Sequence, residues 1–156
     1  MGIGRRLLRI AFTALHRLRR RLWAAAGPGR EGVHALALTE RGAVVLVRLT
    51  YAPGWRLPGG GRKAGEAPAE AILRELREEI GLVAHHRIER LEAIDFVPEL
   101  PGDRSALFRV TGVRYRPPKW NLEVEEVREF DPRRLPDDAT GWTRAMVDAY
   151  AAGPDI

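Results

Sequence analysis

The stretch LPGGGRKAGEAPAEAILRELREEIGL, Leu57 to Leu82, constrains this chain more than any other. Three consecutive glycines, Gly59 to Gly61, precede a run that reads as a helix from Pro68 to about Ile80. Pro68 suits a first helical turn, where its missing N–H costs nothing. Gly81 suits the stop at the other end. The spacing of Ala69, Ile72, Leu73, Leu76 and Ile80 predicts a buried stripe. Glu75, Glu78 and Glu79 fall together on another face, with Arg74 beside them and Arg77 pointing elsewhere.

Like charges at this spacing destabilise a helix by roughly 0.2–0.5 kcal/mol per pair. A face built only for solubility interleaves arginine or lysine, with pairs such as Glu70–Arg74. Clustered carboxylates ask instead for a cation from outside. Oxygen donors without His or Cys select a hard ion, Mg²⁺ or Mn²⁺. Bound Mg²⁺ keeps several waters and takes substrate phosphate oxygens, so the face predicts a phosphate-bearing substrate. The glycines let the backbone approach a ligand closely, aiming a carbonyl at a metal or N–H groups at phosphate. Such a run alone is a turn; its distance from the acids gives it weight.

The 156 residues suit one domain, and the 45% apolar share suffices for a core. Cysteine is absent, which excludes disulfides, thiolate metal sites and a cysteine nucleophile and fits a reducing, cytoplasmic setting. The net charge of +5 is unevenly spread. Residues 1–30 hold eight arginines and no acid, which leaves the rest of the chain at −3.

Two regions follow, a basic extension at 1–30 and a catalytic-type domain at 31–156. Residues 5–26 read as an amphipathic helix with Leu8, Phe12, Leu15, Leu18 and Leu22 on one stripe, ended by Gly27-Pro28-Gly29. Arginines interrupt it too often for a membrane span, and it lacks a secretory cleavage site. It reads as a helix packed on the domain or a protein partner, as one lying on an anionic membrane surface, or as an Arg-rich presequence. A homodimer is compatible with any of these.

In the body, Val33–Thr39 and Ala43–Thr50 read as a hairpin turned at Glu40-Arg41-Gly42. Further strands are expected at Arg87–Val97, Ala106–Tyr115 and Leu122–Phe130. A last helix capped by Asp137 or Asp138 would bury Trp142, Met146 and Tyr150. The order strands, helix, strands, helix predicts an α/β (α+β type) sandwich with a mixed sheet rather than a doubly wound one.

These residues resemble the Nudix box, G-x5-E-x7-R-E-U-x-E-E-x-G-U with U a bulky aliphatic. Gly60, Glu66, Arg74, Glu75, Leu76, Glu78, Glu79, Gly81 and Leu82 match it without departure. The resemblance covers the box and its surroundings, not residues 1–30. It implies a Nudix-like α/β/α sandwich and Mg²⁺-dependent hydrolysis of a nucleoside diphosphate linked to another moiety, such as a nucleoside triphosphate or an ADP-linked compound. It implies Glu75 and Glu79 as main metal ligands, Glu78 sharing a metal or water, the Gly60 carbonyl completing the shell, and Glu66 pairing with Arg74. The family often adds a downstream acid; Glu126, then Glu123, are the candidates. Glu78, Glu79, Glu99 and Asp103 are the candidate proton acceptors.

For the remainder of the substrate, Tyr51 and Trp55 flank the loop before the glycines as candidates to stack on a base, with ordinary loop packing the alternative, favoured for Trp55. Arg48 is a candidate to reach a phosphate, and Gly59 and Gly60 to contact the diphosphate. The alternative reading is a nucleotide-sensing binding module on the same fold, or one tethered to membrane or nucleic acid through residues 1–30. The intact box favours the enzyme.

Overall fold

The computed structural model describes residues 31–91 and 104–152. The expected N-terminal helix, the outer part of the strand drawn to Val97, Glu99 and Asp103 lie outside them. Among the described residues, alternating apolar runs build strands β1 (Glu31–Thr39) and β2 (Val44–Leu49), joined as the expected antiparallel hairpin. Then come β3 (Trp55–Arg56), β4 (Gly59–Gly61), helix α1 (Pro68–Glu79), β5 (Leu82–Ala84), β6 (Arg87–Arg90), β7 (Arg104–Tyr115), β8 (Val124–Phe130) and helix α2 (Gly141–Tyr150).

The sheet is mixed. β1 runs parallel to β7 and antiparallel to β4, while β2 lies between β8 and β3, antiparallel to both. Both faces of the hairpin are apolar. Val33, Ala35, Ala37, Val45 and Val47 point to one side and meet Ile72, Leu76 and Ile80 of α1. Leu36, Leu38, Val44 and Leu46 point to the other and meet Met146 and Val147 of α2. Strands buried on both faces lose the polar alternation of a half-solvated sheet. A layer of helix on each side gives the α/β/α arrangement. Each fully buried Leu or Ile contributes about 1.5–3 kcal/mol.

Three local expectations are corrected. Ala69 is exposed, Leu73 is half-buried, and Ala71, Glu75 and Glu79 join the buried arc of α1. The helix packs on β4 as well as on β1, which widens the covered arc toward that column. The last helix is capped by Thr140, whose hydroxyl accepts from Thr143 N–H at 3.2 Å, and not by Asp137 or Asp138. Met146 is buried there, and Trp142 and Tyr150 pack partly buried against the same core, as expected of that side of the helix. The eighth strand starts at Val124 because Asn121 Oδ1 accepts from Glu123 and Val124 N–H groups, holding a turn where pairing was expected.

Gly81 ends α1 with φ +70 and accepts the Arg116 N–H at 2.9 Å, tying the helix end to the end of β7. A Cβ on Gly81 would stand 1.8 Å from the Arg116 carbonyl oxygen, whereas Gly65, at φ +74, has open space around it. Gly65→Ala should therefore cost about 1–2 kcal/mol, the left-handed strain alone. Gly81→Ala should cost about 1–3 kcal/mol more, because a backbone carbonyl must move. Urea denaturation of the two variants measures the difference; equal costs would contradict the contact.

Candidate active site

The site forms where α1 crosses β4. β4 is laid against β1 in the register Gly32↔Gly61, Val33↔Gly60 and His34↔Gly59. The glycine run is therefore a strand and not a loose turn. Side chains are excluded there: a Cβ on Gly60 would lie 2.6 Å from the Glu75 carboxyl carbon, and one on Gly59 2.1 Å from the Val33 carbonyl oxygen. The acidic side chains of α1 press directly on this backbone. Glu79 Oε2 accepts the Gly59 N–H at 2.9 Å.

Glu79 is 4% exposed and Glu75 8%. Burial pushes the Glu79 carboxyl well above the usual range, and the charges of Glu75, Glu123 and Glu78 add to it against the single Gly59 hydrogen bond. Glu75 is raised as well, first by burial, with Arg74 pulling it down and Glu78 and Glu123 pushing it up. Glu78 faces solvent, with its side chain 58% exposed.

Arg74 is the base that the sequence left beside the acids, and it is engaged among them. Its Nε and Nη2 donate to the two Glu66 oxygens at 2.8 and 2.9 Å, and Nη2 also donates to the Gly61 carbonyl at 2.9 Å. Its Nη1 donates to Glu75 Oε1 at 2.7 Å and lies 3.5 Å from Glu78. The Glu66–Arg74 pairing that the resemblance implied is present. The Glu70–Arg74 pair is not: Glu70 accepts the Ala67 N–H at the start of the helix. One guanidinium thus offsets part of the acid cluster, and its planar fork fixes the loop, the glycine strand and the helix together.

The remaining candidates divide. Tyr51 follows Thr50, whose N–H and hydroxyl bond the Glu123 and Leu122 carbonyls, so its loop adjoins the β7–β8 loop. Trp55, by contrast, is 2% exposed and packs edge-on to Phe130 in the α2 core, which removes it as a stacking surface. Arg48 lies over the Trp55 ring and donates to Asp138 Oδ2 at 2.7 Å. It alternates with Val47, so it stands on the face of β2 turned away from α1. Glu126 shares a small hollow with Glu79, but its carboxylate is bound to Arg128. Arg128 in turn lies over Trp55, on the far face of the sheet. The charge of Glu123 also adds to the raised Glu75 and Glu79 carboxyls. The bulge between Arg48 and Leu49 opposite β8 shifts the register, and no sequence pattern marks that bulge.

Whether these residues suit a metal follows from their chemistry. The donors are oxygen only, and buried Glu79 becomes an anion at little cost only when a cation joins it. Among the described residues no three His, Asp or Glu side chains converge into a closed cage. An open set of two carboxylates with a backbone carbonyl suits an ion that retains waters and takes phosphate oxygens, as Mg²⁺ does. The residues fit such an ion.

The family description "NUDIX domain" matches residues 28–150. An RNA pyrophosphohydrolase of Marinomonas sp. is 41% identical over 56 residues, 36% of this chain and 35% of that protein. One from Gluconacetobacter diazotrophicus is 43% identical over 67 residues, 37% of this chain and 40% of that protein. The matched stretch thus spans 35–40% of these curated relatives. Among solved structures, a MutT NUDIX hydrolase from Burkholderia pseudomallei is similar at TM-score 0.61 and 25% identity, over 78% of this chain and 98% of that one. An ADP-ribose pyrophosphatase from Streptococcus suis shares the fold at TM-score 0.56 and 20% identity, over 80% of this chain and 93% of that one.

Two outcomes test the Arg74 junction. Arg74→Ala should destabilise the fold by about 3 kcal/mol, because it strands enclosed carboxylates. Arg74→Lys should recover less than half, because an ammonium cannot bridge all four partners; equal stability of Lys and wild type would refute the bridging role. The Arg74 hydrogen bonds also hold Glu66 down from 4.5 to about 2. A carboxyl depressed in the fold stabilises it above pH 4.5, and that stabilisation is lost as the pH falls toward 2. Raised Glu75 and Glu79 act with the opposite sign. Glu66→Gln should therefore flatten the loss of stability between pH 4.5 and 2 in thermal denaturation; an unchanged slope contradicts the pairing.

Proposed function

The chain belongs to the Nudix family, and on that premise we propose that it hydrolyses the diphosphate linkage of a nucleoside diphosphate joined to a further moiety. The observation that carries the reading is the pressing of two enclosed carboxylates, Glu75 and Glu79, onto the backbone of Gly59 and Gly60. Nothing in ordinary packing rewards that arrangement: each like charge raises the cost of the other. The names of the relatives, pyrophosphohydrolase and pyrophosphatase, point the same way.

In this proposal Glu75, Glu79, Glu78 and the Gly60 carbonyl hold Mg²⁺ or Mn²⁺, with Glu126 or Glu123 as the downstream acid. When bound, the ion neutralises the diphosphate and makes a water more acidic. The chain's own residues do the rest. Gly59 and Gly60 let β1 and the Glu75 carboxyl pack directly on their backbone, because no side chain stands in the way. Arg74 fixes the direction of Glu75 through their 2.7 Å bond. Glu78, exposed beside the cluster, accepts the proton released by the attacking water. Residues 5–26 are proposed to locate the enzyme, on a membrane surface or a protein partner, without touching the chemistry. Among the described residues no helix is long and apolar enough to cross a membrane.

A panel of nucleoside triphosphates, ADP-linked compounds and 5′-triphosphorylated RNA, each with Mg²⁺, identifies the class through the released phosphate, pyrophosphate or nucleoside monophosphate. With the best of these substrates, Glu79→Gln should lower kcat by roughly a thousandfold or more, since the charge acts on the reacting centre. Its melting temperature should hold or rise, because an amide still accepts the Gly59 N–H and carries no buried charge. Wild-type turnover in this variant would refute the assignment. A chain lacking residues 1–30 should keep its turnover.

A further inference from the structure

We infer that Trp120 is the surface on which the nucleobase of the substrate stacks, an inference that rests on the hydrolase reading and gives its binding site an organic half. Trp120 stands on the loop between β7 and β8 and is 84% exposed, with Leu122 near it at 49%. An isolated exposed apolar residue is ordinary and decides nothing. Three further observations separate this one.

First, the loop is held in place. Asn121 Nδ2 donates to the Glu78 carbonyl at 3.0 Å, which ties the residue next to Trp120 to the acidic end of α1. Its Oδ1 accepts from the Glu123 and Val124 N–H groups, and Thr50 bonds the Leu122 and Glu123 carbonyls. At the other end Arg116 N–H bonds the Gly81 carbonyl. The indole is thus presented from a backbone already fixed by the same helix that carries Glu78 and Glu79.

Second, the hollow beside the carboxylates is small. Glu79, Pro117, Pro118, Asn121, Val124 and Glu126 contribute to a depression of about 70 Å³. Enclosed nucleotide-sized ligands need about 300 Å³ or more. A hollow of about 70 Å³ does not enclose a whole nucleotide. Pro118 and Asn121, which line the hollow, flank the Lys119-Trp120 pair along the chain.

Third, the two other tryptophans among the described residues are committed elsewhere. Trp55 is buried and Trp142 packs its edge against His34. Among the described residues Trp120 alone of the aromatics is exposed. The loop of Tyr51 reaches the Trp120 loop through Thr50 and offers a neighbouring aromatic, half-buried. An indole face carries no hydrogen-bond pattern, so the stacked base is chosen by the area of its ring. Purines bind better than pyrimidines, and adenine and guanine are scarcely told apart.

The test compares wild type, Trp120→Ala and Trp120→Phe as full chains, with a purine nucleoside triphosphate and a base-free ribose triphosphate, both with Mg²⁺. Trp120→Ala should raise KM for the purine substrate roughly tenfold to a hundredfold, with a far smaller change in kcat and in KM for the base-free compound. Trp120→Phe should restore most of the loss. Calorimetric titration with ADP and Mg²⁺ should show the same weakening and the same rescue. Wild-type KM in Trp120→Ala, an equal loss on both substrates, or a dimer broken by the substitution with KM unchanged would each overturn the inference. If the wild type hydrolyses none of these compounds, the hydrolase reading fails by itself. The ADP titration then still decides the stacking: affinity equal in wild type and Trp120→Ala ends it.

Discussion

Two acids buried side by side govern this molecule. Glu75 and Glu79 sit one helical turn apart on the covered arc of α1, where water is withdrawn and each charge raises the other's cost. The fold tolerates them through a small set of partners. Arg74 answers Glu75, and the Gly59 N–H answers Glu79. What these leave unbalanced is a standing attraction for a cation. The stability given up in this corner is supplied by the two apolar layers elsewhere, in which Leu36, Leu46, Ile72, Leu76 and Ile80 are fully enclosed.

The glycine run changes meaning once its pairing is seen. Three glycines in a row suggest a chain that bends freely. Here they form a strand locked to β1, and their value is the absent Cβ. The carboxyl of Glu75 occupies the volume that an alanine at Gly60 would fill. Arg74 closes the same junction from the side, bonding Gly61, Glu66 and Glu75 together. A site that must position charges to a fraction of an ångström is better founded on such a lattice than on a mobile loop.

Much of this was legible from residue types alone. The hairpin, the bounds of α1, its stop at Gly81 and the clustering of the acids follow from periodicity and from the chemistry of Pro and Gly. What escaped was tertiary. Ala69 reads as core and is not, because the position of β4 rotates the buried arc toward Ala71, Glu75 and Glu79. The short strands β3, β4 and β5 are too brief to show a period of two. The bulge opposite Arg48, which resets the register of the strand carrying Glu126, has no sequence mark. Trp55 reads as a loop aromatic and is buried by packing, whereas the exposed Trp120 is not singled out by that reading. A tryptophan set between Pro117-Pro118-Lys119 and Asn121 was the available sign, since turns seldom carry so large a side chain without cause.

The parallel union of β1 with β7 bears on how the chain comes into being. His34 meets Ser105 across it at 2.6 Å, although 71 positions separate them along the sequence. During synthesis the hairpin and α1 leave the ribosome well before their central neighbour exists. Until β7 arrives, the edge of β1 opposite β2 and β4 stays open, an adhesive border for any other unfinished strand. Ring closure over so long a span is slow compared with local helix formation. Birth, for this protein, is the period of greatest exposure to self-association, and the strand that ends it is also the one that carries the chain into the Trp120 loop.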